Sequence, residues 1–372
     1  MSKKKRILFI LDTLEVGGAE KSTLEISKYL KDIEPVVCSI FKGDALKRDF
    51  ESAGIKLIQL NIDSYLYLFP AVKALKKIIE KEKPDVVHAT LARAELVARV
   101  ALKNSKIPLV GSLVGDTYNA ERYTELSKPA RVKLKMFQYL DQITAKRVDV
   151  FLSISQFLKD SYVNKLGLPA AKIIIVPRGR HITEADKPAD RFEPFLFLSV
   201  GRLIQLKGQA DIIKAIAIVK QKYPQVKLKI AGEGPWRAVL EQTIKETGTA
   251  DNVELLGRVN NVDEWLARAQ FFVFGSYYEG QGGAVVEAML AGKAIIASDI
   301  DVVKESVNDG RSALLFKVKD VENLAEKMIW AIEHPGEMAQ LSVNAYAEAK
   351  EKFDIINIVR KHEEVYTSLM AH

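Results

Sequence analysis

The chain has a single cysteine and no long apolar run. Of its 372 residues only Cys38 carries a thiol, so a disulfide within the chain is excluded and a reducing compartment is expected. No stretch approaches the roughly 18 apolar residues of a membrane-spanning helix. The apolar run Ile7 to Leu11 that follows the basic N-terminus ends at Asp12 and is too short for a signal peptide. We therefore expect a cytoplasmic protein, peripheral at most to the inner face of the cytoplasmic membrane.

Positive charge is concentrated in the first half of the chain. Residues 1–180 hold 32 Lys and Arg against 20 Asp and Glu, whereas the remainder holds 23 against 28. A predicted helix within residues 128–147 mixes basic side chains with Met136, Phe137, Tyr139 and Leu140. Such a helix suits an anionic membrane surface or acidic substrates, and an ordinary solvated helix with one buried face is the alternative. Nucleic acid is not an expected partner, because no recognised binding motif accompanies the charge.

Short apolar runs alternate with longer amphipathic ones from end to end, which is typical of parallel sheets with crossover helices. Length and an apolar fraction of 48% suit about two domains. We expect an α/β protein with two doubly wound, Rossmann-like units that face each other across a cleft. The predicted strands are residues 6–11, 34–40, 55–60, 84–89, 108–114, 149–155 and 172–177, followed by 194–201, 227–232, 253–259, 271–276, 294–299 and 313–318.

The boundary between the units is predicted within residues 177–194, where prolines and charges replace the apolar periodicity. The predicted domains are residues 1–180 and 181–353. Residues 354–372 form a final helix that either caps the second domain or returns to the first. In open α/β sheets, ligands bind beyond the carboxyl ends of the strands.

The most informative segment runs from Phe271 through two glutamates, Glu279 and Glu287, that are eight positions apart. An apolar strand, a glycine-rich loop and a helix start follow one another here. The N–H groups and positive dipole end at a helix start favour phosphate. Carboxylates repel phosphate but accept hydrogen bonds from sugar hydroxyls, so the combination predicts a sugar-nucleotide site. An ordinary strand-to-helix connection with glycines is the alternative.

Cations and further glycines follow other predicted strands. Arg202 and Lys207 come just after the strand that ends at Val200, where they are placed to neutralise a leaving diphosphate. Gly234 lies in a tight turn after the next strand, and Gly17 with Gly18 opens the first helix. No G-x-G-x-x-G fingerprint follows a predicted strand, so a nicotinamide enzyme is not expected.

Five motifs in this order resemble the retaining glycosyltransferases of family 4, which have the two-domain GT-B fold. They are GGAE, VGRLIQLKG, AGEGP, LLGRV and the E-x7-E segment, and they span nearly the whole chain. The resemblance implies that the N-terminal domain binds the acceptor and the C-terminal domain binds the donor. It further implies that the final helix crosses back to the first domain. No cofactor or metal is expected, because cations and helix ends replace a metal in that family.

Roles follow from the resemblance where positions match. It implies that Glu279 contacts the transferred sugar, Glu287 holds the ribose hydroxyls, and Arg202 with Lys207 binds the donor diphosphate. The other implied donor contacts are Gly282, Gly283, Ala284, Gly234, Arg258, Val259, Gly17 and Gly18.

The chain departs from the family at several positions. Gln281 and Gly283 stand where many relatives have an aromatic and a bulky aliphatic residue, which affects the expected donor-sugar pocket. Gly115 stands where relatives often have a sugar-contacting His. The predicted acceptor contacts are Asp116, Tyr118 and His88, and a buried, hydrogen-bonded His88 is the alternative.

The resulting hypothesis is transfer of a sugar from a UDP- or GDP-linked donor to a hydroxyl of a saccharide or lipid-linked acceptor, with retention of the anomeric configuration. The setting expected is bacterial surface polysaccharide, lipopolysaccharide or glycolipid synthesis. A sugar-nucleotide epimerase of the same fold and a catalytically silent sugar-nucleotide-binding protein are the alternatives. Asp299 and Asp301 spell the D-x-D of metal-dependent transferases, but a turn and helix-capping sequence is the preferred interpretation.

Overall fold

Two parallel sheets, each with its own helices, organise the chain. The computed structural model describes residues 4–63, 67–119, 123, 126–182 and 192–371. Residues 1–181 together with 355–372 form the first unit, and residues 182–354 form the second. The α/β fold class with two doubly wound units is therefore confirmed. None of the described helices is both long and apolar enough to cross a membrane.

The first unit contains a seven-stranded parallel sheet with the strand order β3-β2-β1-β4-β5-β6-β7. Its strands are β1 Lys5–Leu11, β2 Ile33–Phe41, β3 Lys56–Ile62, β4 Val86–Thr90, β5 Leu109–Leu113, β6 Val150–Ser153 and β7 Ile173–Ile175. Its helices before the boundary are α1 Gly18–Tyr29, α2 Lys47–Ser52, α3 Leu68–Glu82, α4 Ala92–Ala101, α5 Lys128–Thr144 and α6 Gln156–Leu166.

The second unit contains a six-stranded parallel sheet with the order β10-β9-β8-β11-β12-β13. Its strands are β8 Glu193–Val200, β9 Lys227–Ala231, β10 Val253–Gly257, β11 Ala269–Phe274, β12 Ala294–Ser298 and β13 Leu314–Phe316. Its helices are α7 Gln209–Lys222, α8 Arg237–Glu246, α9 Val262–Arg268, α10 Gly283–Leu290, α11 Asp301–Lys304, α12 Val321–Glu333 and α13 Pro335–Phe353.

Both faces of each sheet are covered, so a central strand can hold an unbroken apolar run. In β1, every residue from Ile7 to Leu11 is at most 1% exposed. Leu8 and Ile10 point to one core, and Ile7, Phe9 and Leu11 point to the other. Alternation between two cores makes a continuous apolar run a strand of this sheet.

The final helix, α14 Ile355–Met370, packs against the first unit. Its first backbone N–H donates a hydrogen bond of 2.9 Å to the carbonyl oxygen of Arg180. Gly179 is required there, because a Cβ atom at this position would lie 2.9 Å from the Cα atom of Ile355. Tyr366 is fully buried beside Phe9, with ring centroids 6.3 Å apart. The helix therefore belongs to the first unit.

Two buried histidines lie between α14 and the sheet. The ring nitrogens of His88 are 2.7 Å from the hydroxyls of Tyr366 and Ser112, and His362 Nδ1 lies 2.9 Å from the carbonyl oxygen of Ile358. Burial, helped by the neighbouring His362, lowers the pKa of His88 to about 3. Burial lowers the pKa of His362 to about 4. Both histidines therefore stay neutral in the folded chain at pH values where an unfolded chain protonates them.

This cluster makes the first unit less stable in acid. The contribution of the two neutral histidines to the unfolding free energy is fully present above about pH 6.5, the pKa of a histidine in the unfolded chain. It declines as the pH falls, because the unfolded state then binds more protons than the folded state. Between pH 5.5 and 4.5 each histidine contributes a slope of up to about 1.4 kcal/mol per pH unit. We expect His362→Leu to reduce the total slope by about this amount.

The single thiol offers a way to follow this unit alone. Cys38 lies in β2 and is fully buried, so its labelling by 4,4′-dithiodipyridine, a reagent that reacts in acid, measures opening of the first unit. The unfolding free energy of the first unit would be derived from labelling rates across this pH range for the parent and for His362→Leu. Parallel pH dependences of the two proteins would contradict the contribution assigned to His362.

Candidate active site

The predicted donor-binding residues lie beyond the carboxyl ends of neighbouring strands. In the second sheet β8 is beside β11, while β9 and β10 continue to one side and β12 and β13 to the other. This is the topological switch point, where open α/β sheets bind ligands. Arg202 and Lys207 follow β8, and Glu279 and Glu287 follow β11. The topology thus brings all four to one edge of one sheet.

Lys207 and Glu279 form an ion pair at this edge. The Lys207 ammonium contacts Glu279 Oε1, and the Ser276 hydroxyl donates a hydrogen bond of 2.8 Å to the same oxygen. The side chains are 22% and 15% exposed, so the pair is accessible but partly desolvated. The Lys207 ammonium also lies 5.8 Å from the ring centroid of Phe274, within range of a cation–π interaction. The cation and the carboxylate are held in position before any ligand arrives.

Close backbone packing of the loops after β8 and β11 sets this geometry. Gly208 has a φ of +62°, and a Cβ atom there would lie 2.1 Å from the carbonyl oxygen of Gly275. The N–H of Tyr277 donates a hydrogen bond of 2.8 Å to the carbonyl oxygen of Leu206. Only glycine fits at position 208, directly after the lysine of the ion pair.

The loop after β9 packs in the same way against the loop after β8. A Cβ atom at Gly234 would lie 2.2 Å from the carbonyl oxygen of Leu203. The N–H of Leu203 donates a hydrogen bond of 3.0 Å to the carbonyl oxygen of Glu233. Gly232 has a φ of +151°, and its N–H donates a hydrogen bond of 2.8 Å to the carbonyl oxygen of Gly257 at the end of β10. This packing explains the glycine at position 234, and a contact of its backbone with a ligand stays a prediction.

Helix α10 begins at the same edge. Gly282 precedes it with a φ of +74°, and no side chain caps the helix start. Gly283 and Ala284 form its first turn, and half-buried Glu287 lies one turn further along. The positive end of the helix dipole and its first N–H groups thus lie beside Glu279 in the chain. Gln281, which precedes Gly282, is 8% exposed.

Arg202, Arg258 and Val259 complete the set of predicted donor contacts. Arg202 is exposed, Arg258 is exposed directly after β10, and Val259 is partly buried. The two arginines follow β8 and β10, which are separated by β9 in the sheet, and the roles of all three side chains stay predictions.

The three expected acceptor contacts are buried in the first unit. Asp116 is buried and pairs with Lys165, and the buried Tyr118 donates a hydrogen bond of 2.9 Å to Asp141. His88 is 3% exposed, with a hydroxyl beside each ring nitrogen. Elements distant in sequence, such as α14 over His88, hold these side chains in the interior of the first unit. His88 also lines a small pocket there, and contact of the three side chains with an acceptor stays a prediction.

Sequence reasoning also missed a cavity of about 330 Å³ in the first unit, where Gly17 and Gly18 form part of the wall. Its charged lining includes Glu95 and Arg99, an i,i+4 pair in helix α4. The signal was present, because Glu95 and Arg99 lie among the apolar residues of a helix that follows a buried strand. An exposed helical ion pair has the same spacing and concealed it.

The D-x-D sequence has a structural explanation. Asp301 begins the short helix α11, and the Lys304 ammonium lies 2.8 Å from Asp299 and 3.4 Å from Asp301. Across the part of the chain that the structure describes, no group of three His, Cys, Asp or Glu side chains is arranged to hold a metal ion.

Comparison with known proteins agrees with the two-unit organisation. A family model described as Glycosyltransferase Family 4 matches residues 16–184, and one described as Glycosyl transferases group 1 matches residues 182–348. The chain is 26% identical over 362 residues to the GalNAc-alpha-(1->4)-GalNAc-alpha-(1->3)-diNAcBac-PP-undecaprenol alpha-1,4-N-acetyl-D-galactosaminyltransferase of Campylobacter jejuni, covering 95% of this chain and 96% of that protein.

Other relatives extend this comparison. The capsular polysaccharide biosynthesis glycosyltransferase CapH of Staphylococcus aureus is 25% identical over 301 residues, covering 79% of this chain and 81% of CapH. The crystal structure of Anabaena HepE in complex with UDP has the same fold, with a TM-score of 0.82, 23% identity and coverage of 98% and 100% of the two chains. Because the two family models together take in residues 16–348, the chain belongs to the glycosyltransferases of group 1 and family 4, with the GT-B fold.

Proposed function

We propose that this glycosyltransferase moves a hexosyl group from a nucleoside diphosphate sugar to an acceptor hydroxyl with retention of configuration. The observation that carries the proposal is the Lys207–Glu279 ion pair at the switch point of the second sheet. A cation and a carboxylate held side by side suit the two parts of such a donor. The cation meets the diphosphate, and the carboxylate meets the hydroxyls of the sugar.

The proposed chemistry needs charge stabilisation more than a nucleophile. As the bond between the anomeric carbon and the diphosphate breaks, negative charge grows on the diphosphate oxygens. Lys207, Arg202 and the start of α10 are the groups that we propose to stabilise that charge. Glu279 then orients the sugar, and Glu287 accepts hydrogen bonds from the ribose. We propose that the acceptor attacks the face from which the diphosphate departs, and that these positive groups serve in place of a metal.

A uridine donor is the first to test. Crystal structures of HepE contain UDP or UDP-glucose, and HepE shares 23% identity with this chain. Gln281 and Gly283 lie between the two glutamates, so we expect the donor sugar to differ from that of relatives with bulkier residues there.

Product analysis tests the proposal against its alternatives. The chain would be incubated with UDP- and GDP-sugars, with and without octyl glycosides as acceptors, and followed by NMR. We expect diphosphate release that depends on an acceptor, and a new glycosidic bond of the same anomeric configuration as the donor. Epimerisation of the donor without transfer would support the epimerase, and donor binding without turnover would support a silent binding protein.

We further propose that the acceptor is lipid-linked and met at an anionic membrane surface on the cytoplasmic side. The Campylobacter relative is named for a PP-undecaprenol-linked acceptor. Helix α5 exposes an apolar stripe spaced as one helical face, made of Val132 (67% exposed), Met136 (60%), Tyr139 (62%) and Ile143 (45%). Exposed Lys128, Arg131, Lys133 and Lys135 lie on the same helix. An apolar face flanked by lysine and arginine is typical of interfacial helices.

Loss of this stripe should release the chain from membranes. We expect the double variant Met136→Ser/Tyr139→Ser to bind vesicles of phosphatidylcholine and phosphatidylglycerol about tenfold or more weakly than the parent, because less apolar area enters the interface. Co-flotation measures binding, and Val343→Ser, at a 57% exposed position of α13, is the matched control. Equal binding by parent and double variant would leave α5 as an ordinary solvated helix.

A further inference from the structure

The cavity in the first unit lies at the switch point of its own sheet. In that sheet β1 is beside β4, while β2 and β3 continue to one side and β5 to β7 to the other. The cavity is lined by Gly17 and Gly18 after β1, by Leu91 after β4, and by Gly115 after β5. Its volume of about 330 Å³ is at the lower end of the range for small-molecule sites. Its position is thus the one in which an open α/β sheet binds a ligand.

A fixed network of charges forms part of the lining. The Arg99 guanidinium donates to Glu95 Oε2 on one side and to Asp141 Oδ1 on the other. The backbone N–H of Ser112 donates 3.1 Å to the second oxygen of Glu95. Glu95 is 5% exposed and Arg99 4%, and burial raises the pKa of Glu95 to about 7 although Arg99 opposes the shift. These hydrogen bonds therefore fix the orientation of the Glu95 carboxylate, which has little contact with solvent.

Stability alone gives no reason for this network. Buried ion groups are costly to desolvate, and apolar residues of the same volume are often as stable or more so. The cost is visible in Arg99, whose buried Nε has no hydrogen-bond partner among the described residues. A polar cluster kept against this cost, on the wall of a cavity, suggests that a ligand uses it.

The rest of the lining matches a sugar ring. Gly17 and Gly18 leave room for side chains, because Cβ atoms there would lie 2.2 Å from Glu20 Oε2 and 2.5 Å from Arg178 Nη1. Carboxylates accept hydrogen bonds from hydroxyls, and guanidiniums donate to them. The carbon-bound hydrogens of a pyranose need an apolar wall, which Leu91, Leu113, Phe151, Leu166 and Leu168 provide.

We propose that this cavity binds one uncharged pyranose ring of the acceptor, with Glu95 as the residue that selects its hydroxyl pattern. The inference rests on the proposed glycosyl transfer and adds the place and the kind of acceptor group. A neutral sugar is favoured over a phosphate, since three carboxylates (Glu20, Glu95 and Asp141) and two guanidiniums (Arg99 and Arg178) line the cavity.

Two variants test the site in different ways. Glu95→Gln keeps the shape of the side chain and an acceptor for the Ser112 N–H, but removes the charge. Gly115→Leu fills the cavity, and it does so without a clash at Cβ, because no atom lies within 4 Å of that position. Glu82→Gln is the matched control, because Glu82 is a carboxylate of the same unit that is 2% exposed, pairs with Arg6 and Lys56, and is not in the cavity lining.

Saturation-transfer NMR on the full chain would measure binding of methyl pyranosides of glucose, galactose, mannose, N-acetylglucosamine and N-acetylgalactosamine. We expect at least one pyranoside to bind the parent. The Kd of that pyranoside should rise about tenfold or more in Glu95→Gln, and its binding should vanish in Gly115→Leu. Glu82→Gln should bind it as the parent does. No pyranoside binding, or binding unchanged in both variants, would overturn the inference. So would binding of inorganic pyrophosphate that Gly115→Leu abolishes.

UDP and UDP-glucose binding in the same samples separates the two proposals. All predicted donor contacts except Gly17 and Gly18 lie in the second unit, and no variant replaces a predicted donor contact, so we expect every variant to bind nucleotide as the parent does. A parent chain that binds no nucleotide sugar contradicts the proposed function, whereas one that binds nucleotide but no pyranoside contradicts only the cavity assignment. If Glu95→Gln does not fold, Gly115→Leu alone decides the outcome.

Discussion

We expect the Lys207→Ala variant to lose about 10² to 10³ in kcat, because one preorganised cation that stabilises the leaving diphosphate is removed. Glu279→Gln should be impaired by a similar factor, since it changes the carboxylate that orients the sugar and also breaks the ion pair. Because the two side chains act as a unit, the double variant should be little worse than either single one. Initial rates of nucleoside diphosphate release with a saturating acceptor measure the effect.

Lys222→Ala is the matched control for these variants. Lys222 also pairs with a glutamate in the second unit, Glu333, but the pair is exposed and lies at the end of α7. We expect its kcat to equal that of the parent, since exposed pairs contribute little to stability. Near-parental turnover in Lys207→Ala and Glu279→Gln would remove both residues from the catalytic site.

The second large effect is expected from a single methyl group at Gly208. Alanine in the left-handed conformation costs about 1 kcal/mol, and its Cβ atom would lie 2.1 Å from the carbonyl oxygen of Gly275, so the two loops must move apart. We expect Gly208→Ala to lower the unfolding free energy of the second unit by about 3 kcal/mol or more. Displacement of Lys207 should weaken nucleotide binding as well.

Gly310→Ala separates backbone strain from the steric clash. Gly310 has a φ of +67°, close to the +62° of Gly208, but no atom lies within 4 Å of the position of its Cβ. We expect a cost of only about 1 kcal/mol. All three tryptophans, Trp236, Trp265 and Trp330, lie in the second unit, so tryptophan fluorescence in urea reports its unfolding alone. Equal costs for the two variants would contradict the close approach of the loops.

The order and type of the strands were predictable because each parallel strand is buried on both faces. The predicted strand 271–276 is Ala269–Phe274 in the structure, and the predicted 294–299 is Ala294–Ser298. The differences lie at the ends, where a glycine or a polar residue continues the run in sequence but leaves the sheet. The pairing order was not predictable, since it depends on which crossover helix covers which face.

The sequence could place Lys207 and Glu279 at one edge but could not pair them. They are 72 residues apart, and the contact depends on the packing of two glycine-containing loops. Burial was harder to predict. Asp116, Tyr118 and His88 follow or end strands and therefore resemble site residues, but α5, α6 and α14 provide side chains that bury or pair with them. Glu95 and Arg99 were overlooked for the converse reason, because an ion pair on a helix usually faces water.

The central claim is that the carboxyl edge of the second sheet binds a nucleoside diphosphate sugar through Lys207, Arg202 and Glu279. Calorimetric titration of UDP and GDP, each with and without a linked sugar, into the parent chain and the Arg202→Ala/Lys207→Ala variant tests it most directly. We expect one nucleotide to bind the parent with one site per chain, and the variant to bind it at least about a hundredfold more weakly, since two cations that meet the diphosphate are gone. Failure of every nucleotide to bind the parent, or equal affinity for the variant, would contradict the account.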